Sequence, residues 1–494
     1  MQFLLKLLLI TLLNLALANP AWAEIVDLTL LQLNDVYEIT PVSGGTSGGL
    51  ARIATLRQKL IAENPNTYTF LAGDLLSPSA LGTAKVKGNA IAGAQMVAVM
   101  NAVGLDFATF GNHEFDLTKE QFYQRLAESE FTWFSSNVFD EKGQPFPDTP
   151  QSVIFSVTGK EGTLIKVGLI GVTLDINPVN YVTYQDAIAT MQQEVEQIKD
   201  KTDIIIAVTH LALAQDQHLA ETIPEIDLIL GGHEHENIQQ WRGGDFTPIF
   251  KADANGRTVY IHQLRYDTET NQLEIESHLQ PITDAIPEQP EIAALVEEWV
   301  QRAFDAFRSD GFEPEEVVAT TTEPLDGLEI SIRNQSTNLS DLIAQGMLTA
   351  TNHEAELAIF NGGSIRIDDV LPPGKVTQYD VIRVMPFGGE VFLVEMSGAL
   401  LEQVLNQGLA NKGTGGYLQT AGVTQNVTGQ GWLIGTTALN PKQTYKVAIN
   451  DFLLTGKEIG LDYLTLKNPE VKLIRKGEDI RFALIRQLQK SQTD

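Results

Sequence analysis

The sequence predicts an α/β protein, with a layered, sheet-based first half followed by a mixed α+β region. Three observations carry this expectation. From residue 25 to about 285, β-like apolar runs alternate with helical ones, as they do in layered α/β folds. Five of those runs end in residues of metal-binding type. From about residue 315 the texture changes to mixed α+β with Gly-rich loops.

Taken in order, the first 23 residues stand apart. Lys6 sits in an otherwise uncharged, Leu-rich stretch, and Ala21-Trp22-Ala23 has the small-x-small form of a cleavage site. This reads as a secretory signal peptide over 1–23 and places the mature chain in a periplasm or outside the cell. A retained anchor fits less well, because the segment is short and broken by Asn14, Asn19 and Pro20. LTLLQL then runs into Asn34-Asp35. Gly44-Gly45 and Gly48-Gly49 make a loop before ARIATLRQKLIAE, which reads as a helix. YTFLA ends in Gly73-Asp74, FATF in Gly111-Asn112-His113, IIIAV in Thr209-His210, and LILGG in His233-Glu234-His235. Pro281, Pro287 and Pro290 punctuate the chain before EIAALVEEWVQRAFDAF, whose apolar spacing is helical. The expected organisation is a first domain over 24–285, a linker helix over 286–314 and a second domain over 315–494.

A chain of 494 residues has room for two or more domains. It contains no cysteine, so a large core must hold it together, and thiolate zinc sites and Cys nucleophiles are excluded. The formal charge of −29 argues against a nucleic-acid polymer as partner. An anionic small molecule remains possible if metals and a few placed arginines meet its charge locally.

The five endings read as strands of one sheet emptying their carboxyl ends into one site, where open α/β sheets put their chemistry. Asp, Asp, Asn, His, His and His suit a pair of borderline-hard divalent metals, such as zinc or manganese. Two-metal centres most often hydrolyse phosphate esters. Asp35 and Asp74 each follow a strand; alone, each is an ordinary turn aspartate. Asn112 offers a carbonyl oxygen. His113 projects differently and can act on substrate, with Asp116 three residues on to orient its imidazole. The competing reading of this string is a helix start, with Asn112 as cap and Glu114 and Asp116 favouring the dipole. His233 and His235 point the same way if the backbone there is extended. His210 ends a fully apolar strand, where an unpartnered imidazole is costly. His218, His262, His278 and His353 lack such company and read as structural or surface residues.

Together these strings, with GGLARIATLR after the first loop, resemble the 5′-nucleotidase family: a metallophosphoesterase domain and a C-terminal substrate-recognition domain. Asn361-Gly362-Gly363-Ser364-Ile365-Arg366, VMPFGGE from Val384, and Gly416-Tyr417-Leu418-Gln419 carry the resemblance through the second half. It covers nearly the whole mature chain. The resemblance implies a four-layer α/β/β/α sandwich followed by an α+β domain. It implies two divalent metal ions, with Asp74 bridging both, Asn112, His210 and His233 completing one site, and Asp35 and His235 the other. His113 is then the catalytic imidazole and Asp116 its orienting partner, with a metal-bridging water attacking phosphorus. Tyr417 and Phe452 fall where two aromatics sandwich a nucleobase, and Asn361 and Arg366 match residues that contact nucleotide and phosphate. The implied substrate is a nucleoside 5′-monophosphate.

The departures concern the first metal site and substrate recognition. The family's Asp-x-His reads Asp35-Val36-Tyr37 here, placing a phenol where a histidine ligand is usual. Tyr37 either joins the metal site or packs at its edge. The family's arginine before the Asn-Leu-x-x-Leu-Ile helix falls on Gln335, with Arg333 two residues earlier, and Glu458 stands in for the carboxylate of a Gly-Gly-Asp-Gly loop. Two alternatives therefore accompany nucleotide hydrolysis. One is a different leaving group, as in a 2′,3′-cyclic nucleotide phosphodiesterase, a nucleotide-sugar hydrolase or a sugar phosphatase. The other is a non-catalytic nucleotide-binding protein with a weakened metal site.

Overall fold

A computed structural model describes residues 24–426 and 431–491. The expected signal peptide at 1–23 lies outside the described residues. By contact, the chain forms two compact units. Among the described residues, the first comprises 24–40 together with 47–77 and 96–295. The second comprises 41–46, 78–95, 296–426 and 431–491.

The first unit is built on two six-stranded sheets. One contains β1 (Ile25–Leu33), β2 (Thr67–Ala72), β3 (Phe107–Thr109) and β4 (Thr132–Trp133), running parallel. The other contains β5 (Ser152–Thr158), β6 (Leu164–Thr173), β7 (Ile204–His210), β8 (Leu228–Gly231), β9 (Ile238–Arg242) and β10 (Thr247–Lys251). The strands β11 (Thr258–Asp267) and β12 (Gln272–Pro281) return to the first sheet and extend it antiparallel, in the order β12-β11-β1-β2-β3-β4. The second sheet has the order β5-β6-β7-β8-β10-β9.

This corrects the expectation of a single sheet. β1, β2 and β3 belong to one sheet, β7 and β8 to the other. Apolar strands look alike in sequence whichever sheet they join. Here the choice is made by pairings such as Ile25 with Asp267, across most of the unit.

The two sheets share one core. Leu28 and Leu30 of β1, Phe70 of β2, Ile206 and Val208 of β7, and Leu228 and Leu230 of β8 meet in it. The alternate residues of β7, Ile205 and Ala207, face outward under α1 (Ala187–Ile198) and α2 (Leu213–Thr222). Burial on both faces explains the unbroken apolar run in this strand. On the first sheet, α3 (Leu50–Glu63) packs against β2. The layer order is the α/β/β/α sandwich that the resemblance implied.

A helix, α4 (Pro290–Ser309), carries the chain out of the first unit, and the boundary at 295/296 falls within it. The second unit centres on a five-stranded sheet. Its strands are β13 (Leu357–Asn361), β14 (Glu390–Ser397), β15 (Leu418–Ala421), β16 (Thr444–Asn450) and β17 (Val471–Asp479), in the order β15-β13-β16-β14-β17. The helix α5 (Gly398–Ala410) buries Leu401, Val404 and Leu405 against Ile359, Val394 and Val447 of this sheet. Among the described residues, no helix is long and apolar enough to cross a membrane.

Candidate metal centre

The carboxyl ends of β1, β2, β3, β7 and β8 converge at one shared edge of the two sheets. Register places them: Leu33 pairs with Leu71, Ala72 with Thr109, and Thr209 with Gly231. The sheets are tied across the gap at this edge. His210 Nδ1 donates to the Ala72 carbonyl at 2.8 Å, and Asn34 Nδ2 donates to the Ala252 carbonyl at 2.9 Å.

Asp35, Asp74 and His210 are buried, and each offers a donor atom within 4.8 Å of the others. Each aspartate is anchored by one oxygen and aims the other inward. Asp35 Oδ2 accepts from His233 N at 2.9 Å and from Asn34 Nδ2 at 2.8 Å. Its Oδ1 faces His235 Nε2 at 3.5 Å and His210 Nε2 at 3.9 Å. Asp74 Oδ1 accepts from His113 N at 2.8 Å, while Oδ2 lies 3.4 Å from His210 Nε2.

Two candidate ligand atoms buried at this edge, Asn112 Oδ1 and His210 Nε2, make no hydrogen bond among the described residues, although Nε2 faces the Asp74 carboxylate at 3.4 Å. An unsatisfied buried carboxamide oxygen or imidazole nitrogen is costly and calls for an explanation. A cation supplies it. The Nδ1–H of His210 is spent on Ala72, which leaves Nε2 with its lone pair when the ring is neutral. The donor set of carboxylates, carboxamide and imidazoles fits divalent metal ions.

The charge balance agrees. Burial opposes charge on His210, yet Asp74 and Asp35 beside it raise the imidazole to about 9. Burial pushes Asp74 upward, but His210 and His113 hold it well below the usual carboxylate range. His233 is lowered to about 3, by burial and then by the neighbouring His210 charge. Two buried carboxylates thus demand positive charge at this point.

The backbone needed here is unusual. Asp35, Asp74, His233 and His235 all have positive φ, at 53°, 60°, 89° and 59°. Such conformations are uncommon outside glycine and gather at functional sites. His233 and His235 are therefore not extended, contrary to the expectation. The turn instead sends His233 toward His210, with ring centroids 5.4 Å apart, and His235 toward Tyr37 at 5.5 Å. The glycines preceding the ligands leave room for close packing. A Cβ on Gly111 would lie 2.0 Å from Asp74 Oδ1, and one on Gly232 would lie 2.3 Å from the Ala72 carbonyl oxygen.

Tyr37 reaches into this cluster and is only 7% exposed. Its hydroxyl lies 2.8 Å from Asp74 Oδ2, 3.3 Å from Asp35 Oδ1 and 3.0 Å from His235 Nε2. The phenol oxygen stands among the candidate ligands, not at their edge.

His113 and Asp116 share one short 3-10 turn, His113–Asp116, which ends where Thr118 caps the next helix. His113 Nδ1 lies 2.7 Å from Asp116 Oδ2. Ser77 Oγ also donates to Asp116 at 3.1 Å. Asn112 precedes this turn, but its side chain makes no capping bond, unlike the helix-start reading.

Glu114 does not serve a helix dipole in solvent either. It is fully buried and accepts from the backbone N–H groups of Gly111, Asp74, Leu75 and Leu76. Burial and the neighbouring Asp74 charge push it up to about 7. Sequence reasoning missed this clamp, and the only available signal was its place beside His113. It also missed Asn34 and Ser77.

The second unit gathers several of the expected substrate residues at one end of its sheet. Asn361 closes β13, and its Oδ1 accepts from Ser364 Oγ at 2.6 Å and Asn450 Nδ2 at 3.0 Å. Gly362 N donates to the Tyr417 carbonyl at 2.7 Å. Phe452 follows β16 in a short turn and is 39% exposed. Arg366 lies 5.9 Å from the Phe387 ring, and its buried Nε has no hydrogen-bond partner among the described residues. Glu458 is buried against Gly416, where a Cβ would approach its Oε1 to 2.6 Å. Arg333 is engaged by Glu329.

Comparison with known proteins agrees with this architecture. Residues 28–237 match the model for calcineurin-like phosphoesterases, and residues 317–465 match that for the 5′-nucleotidase C-terminal domain. The chain is 28% identical to human 5′-nucleotidase over 460 residues, covering 83% of this chain and 77% of that one. It is 27% identical over 494 residues to the trifunctional nucleotide phosphoesterase protein YfkN of Bacillus subtilis strain 168. That match covers 89% of this chain but spans only 32% of the length of the Bacillus protein. The crystal structure of a 5′-nucleotidase precursor from Thermus thermophilus shares the fold, with a TM-score of 0.75. Its identity is 23%, covering 94% of this chain and 96% of that one.

Proposed function

We propose that this chain, which belongs to the 5′-nucleotidase family of phosphoester hydrolases, cleaves nucleoside 5′-monophosphates to nucleoside and phosphate. We assign the chemistry to residues 24–285 and substrate recognition to 315–494, joined through 286–314, with residues 1–23 directing export. The observation that carries the reading is the pair of buried ligand atoms that make no hydrogen bond, Asn112 Oδ1 and His210 Nε2, beside two buried aspartates.

Asp74, Asn112, His210 and His233 would hold one divalent ion, and Asp35, Asp74 and His235, with Tyr37 beside them, a second. When bound, such ions supply an activated water and neutralise charge on the phosphoryl oxygens. The remaining chemistry belongs to the chain. Asp116 fixes the ring of His113 through Nδ1, so that Nε2 is presented to a phosphoryl or leaving oxygen. Tyr417 and Phe452 would stack on the base, and Asn361, Arg366 and Glu458 would take the polar parts of the nucleotide.

A second reading rests on two departures. Gln335 replaces the expected arginine, and Arg333 is already engaged by Glu329. A weaker phosphate grip favours other esters: 2′,3′-cyclic nucleotides, nucleotide sugars or sugar phosphates. The trifunctional description of the Bacillus relative supports this breadth. Elemental analysis of purified protein, paired with a product screen over all four substrate classes, separates the readings: phosphate is read from nucleoside monophosphates and sugar phosphates, and the nucleotide product from cyclic nucleotides and nucleotide sugars. Release from AMP with bound metal is expected. Metal-loaded protein that hydrolyses none of them would make it a nucleotide-binding protein instead.

A further inference from the structure

Lys251, the last residue of β10, is completely buried. A buried ammonium is costly unless fully partnered. Its Nζ donates to the Leu211 carbonyl at 2.6 Å and the Gly232 carbonyl at 2.8 Å. It also pairs with Asp216 Oδ2 at 2.8 Å and with Glu234. The positions of these partners are informative. Leu211 follows His210, Gly232 precedes His233, and Glu234 lies between His233 and His235. Asp216 uses its other oxygen to accept from Thr209 Oγ1 at 2.7 Å, and Thr209 precedes His210. Glu234 in turn accepts from Leu213 N. The chain makes room for this ammonium: a Cβ on Gly231 would lie 2.8 Å from Lys251 Cε.

We infer that Lys251 is a positioning residue: it pins the end of the His210 strand to the His233–His235 turn and thereby sets where the three imidazoles stand. Among the described residues, its hydrogen bonds and ion pairs go to none of the candidate ligand side chains. It acts by holding the backbone on either side of them. Burial opposes its charge, but Asp216 and Glu234 hold the lysine above its ordinary value, so the pin stays cationic.

The inference rests on the metal reading above, and one experiment separates the two. Full-length protein and Lys251→Met are titrated with cobalt(II), following affinity and the visible ligand-field spectrum at full occupancy. The wild type is expected to bind cobalt; failure to do so would sink the metal reading itself. Lys251→Met is expected to bind about tenfold or more weakly, the usual effect of losing an outer-shell support. Its spectrum is expected to change, because displaced imidazoles alter the coordination. Affinity within twofold of wild type and a superimposable spectrum would overturn the positioning role, whatever happens to the melting temperature. If Lys251→Met does not accumulate folded, Asp216→Asn and Glu234→Gln replace it, each keeping an acceptor oxygen while removing a charge. Weaker cobalt binding with an altered spectrum in either supports the inference, and wild-type behaviour in both overturns it.

Discussion

Replacing Tyr37 by histidine probes the first metal site most directly. The phenol oxygen lies 2.8 Å from Asp74 Oδ2 and 3.0 Å from His235 Nε2, so the side chain at position 37 faces the same space as the ligands. A phenol ligates well only as its anion. With a free value of about 10, deprotonation at pH 7 costs about three pH units, or roughly 4 kcal/mol. A free imidazole, at about 6.5, needs little of that step at pH 7 and is therefore expected to bind metal more tightly. Imidazole Nε2 also reaches less far from the backbone than a tyrosine oxygen, so a gain of about 10–100-fold is the working expectation, in the range of metal-shell substitutions. The assay is equilibrium dialysis against a graded chelator, with metal content read by elemental analysis. Tyr37→Phe serves as the control that removes only the hydroxyl and creates no new ligand. Tyr37→His and Tyr37→Phe retaining metal equally would refute the argument that position 37 faces the ions.

Three other outcomes are expected. His113→Ala should keep its metal content while kcat falls about 10²–10⁴-fold, the usual range for loss of general acid–base help; parallel loss of metal would make His113 a ligand. Phe452→Ala should weaken nucleoside monophosphates by about 1–3 kcal/mol through lost stacking, read as a rise in KM, and leave a small phosphate ester unaffected. His262 should make the protein acid-sensitive. Burial, and then the neighbouring His278 charge, lowers its imidazole to about 3, against about 6.5 in the unfolded chain. Between these values the unfolded chain binds a proton that the folded one refuses, so stability falls as pH drops from about 6.5 toward 3, by a few kcal/mol in all. Urea midpoints across this range should show a shallower decline in His262→Gln, and an unchanged slope would assign the acid sensitivity to other groups.

Much of this site was legible in the sequence for a simple reason. Strands that end in Asp, Asn or His after an apolar run are rare in series, and all of Asp35, Asp74, Asn112, His210, His233 and His235 come to one edge. Support residues were not legible. Glu114 looks like an ordinary helix-start acid until its carboxylate is found on four backbone N–H groups. Lys251 looks like a strand-end lysine on the surface until its ammonium is found buried between two ligand-bearing segments. Nothing local distinguishes either residue, because all of their partners but Gly111 lie 17 to 40 residues away in the chain.

The sequence by itself determined the donor types, their strand-end positions and the division into an α/β first half and an α+β second half. Those follow from side-chain chemistry and from periodicity, which are local. Tertiary structure alone decided that the ligand strands divide between two sheets, that His233 and His235 reach the cluster through left-handed turns, and that Tyr37 points inward. These depend on strand pairings across more than two hundred residues and on glycines whose missing Cβ atoms let one loop close on another.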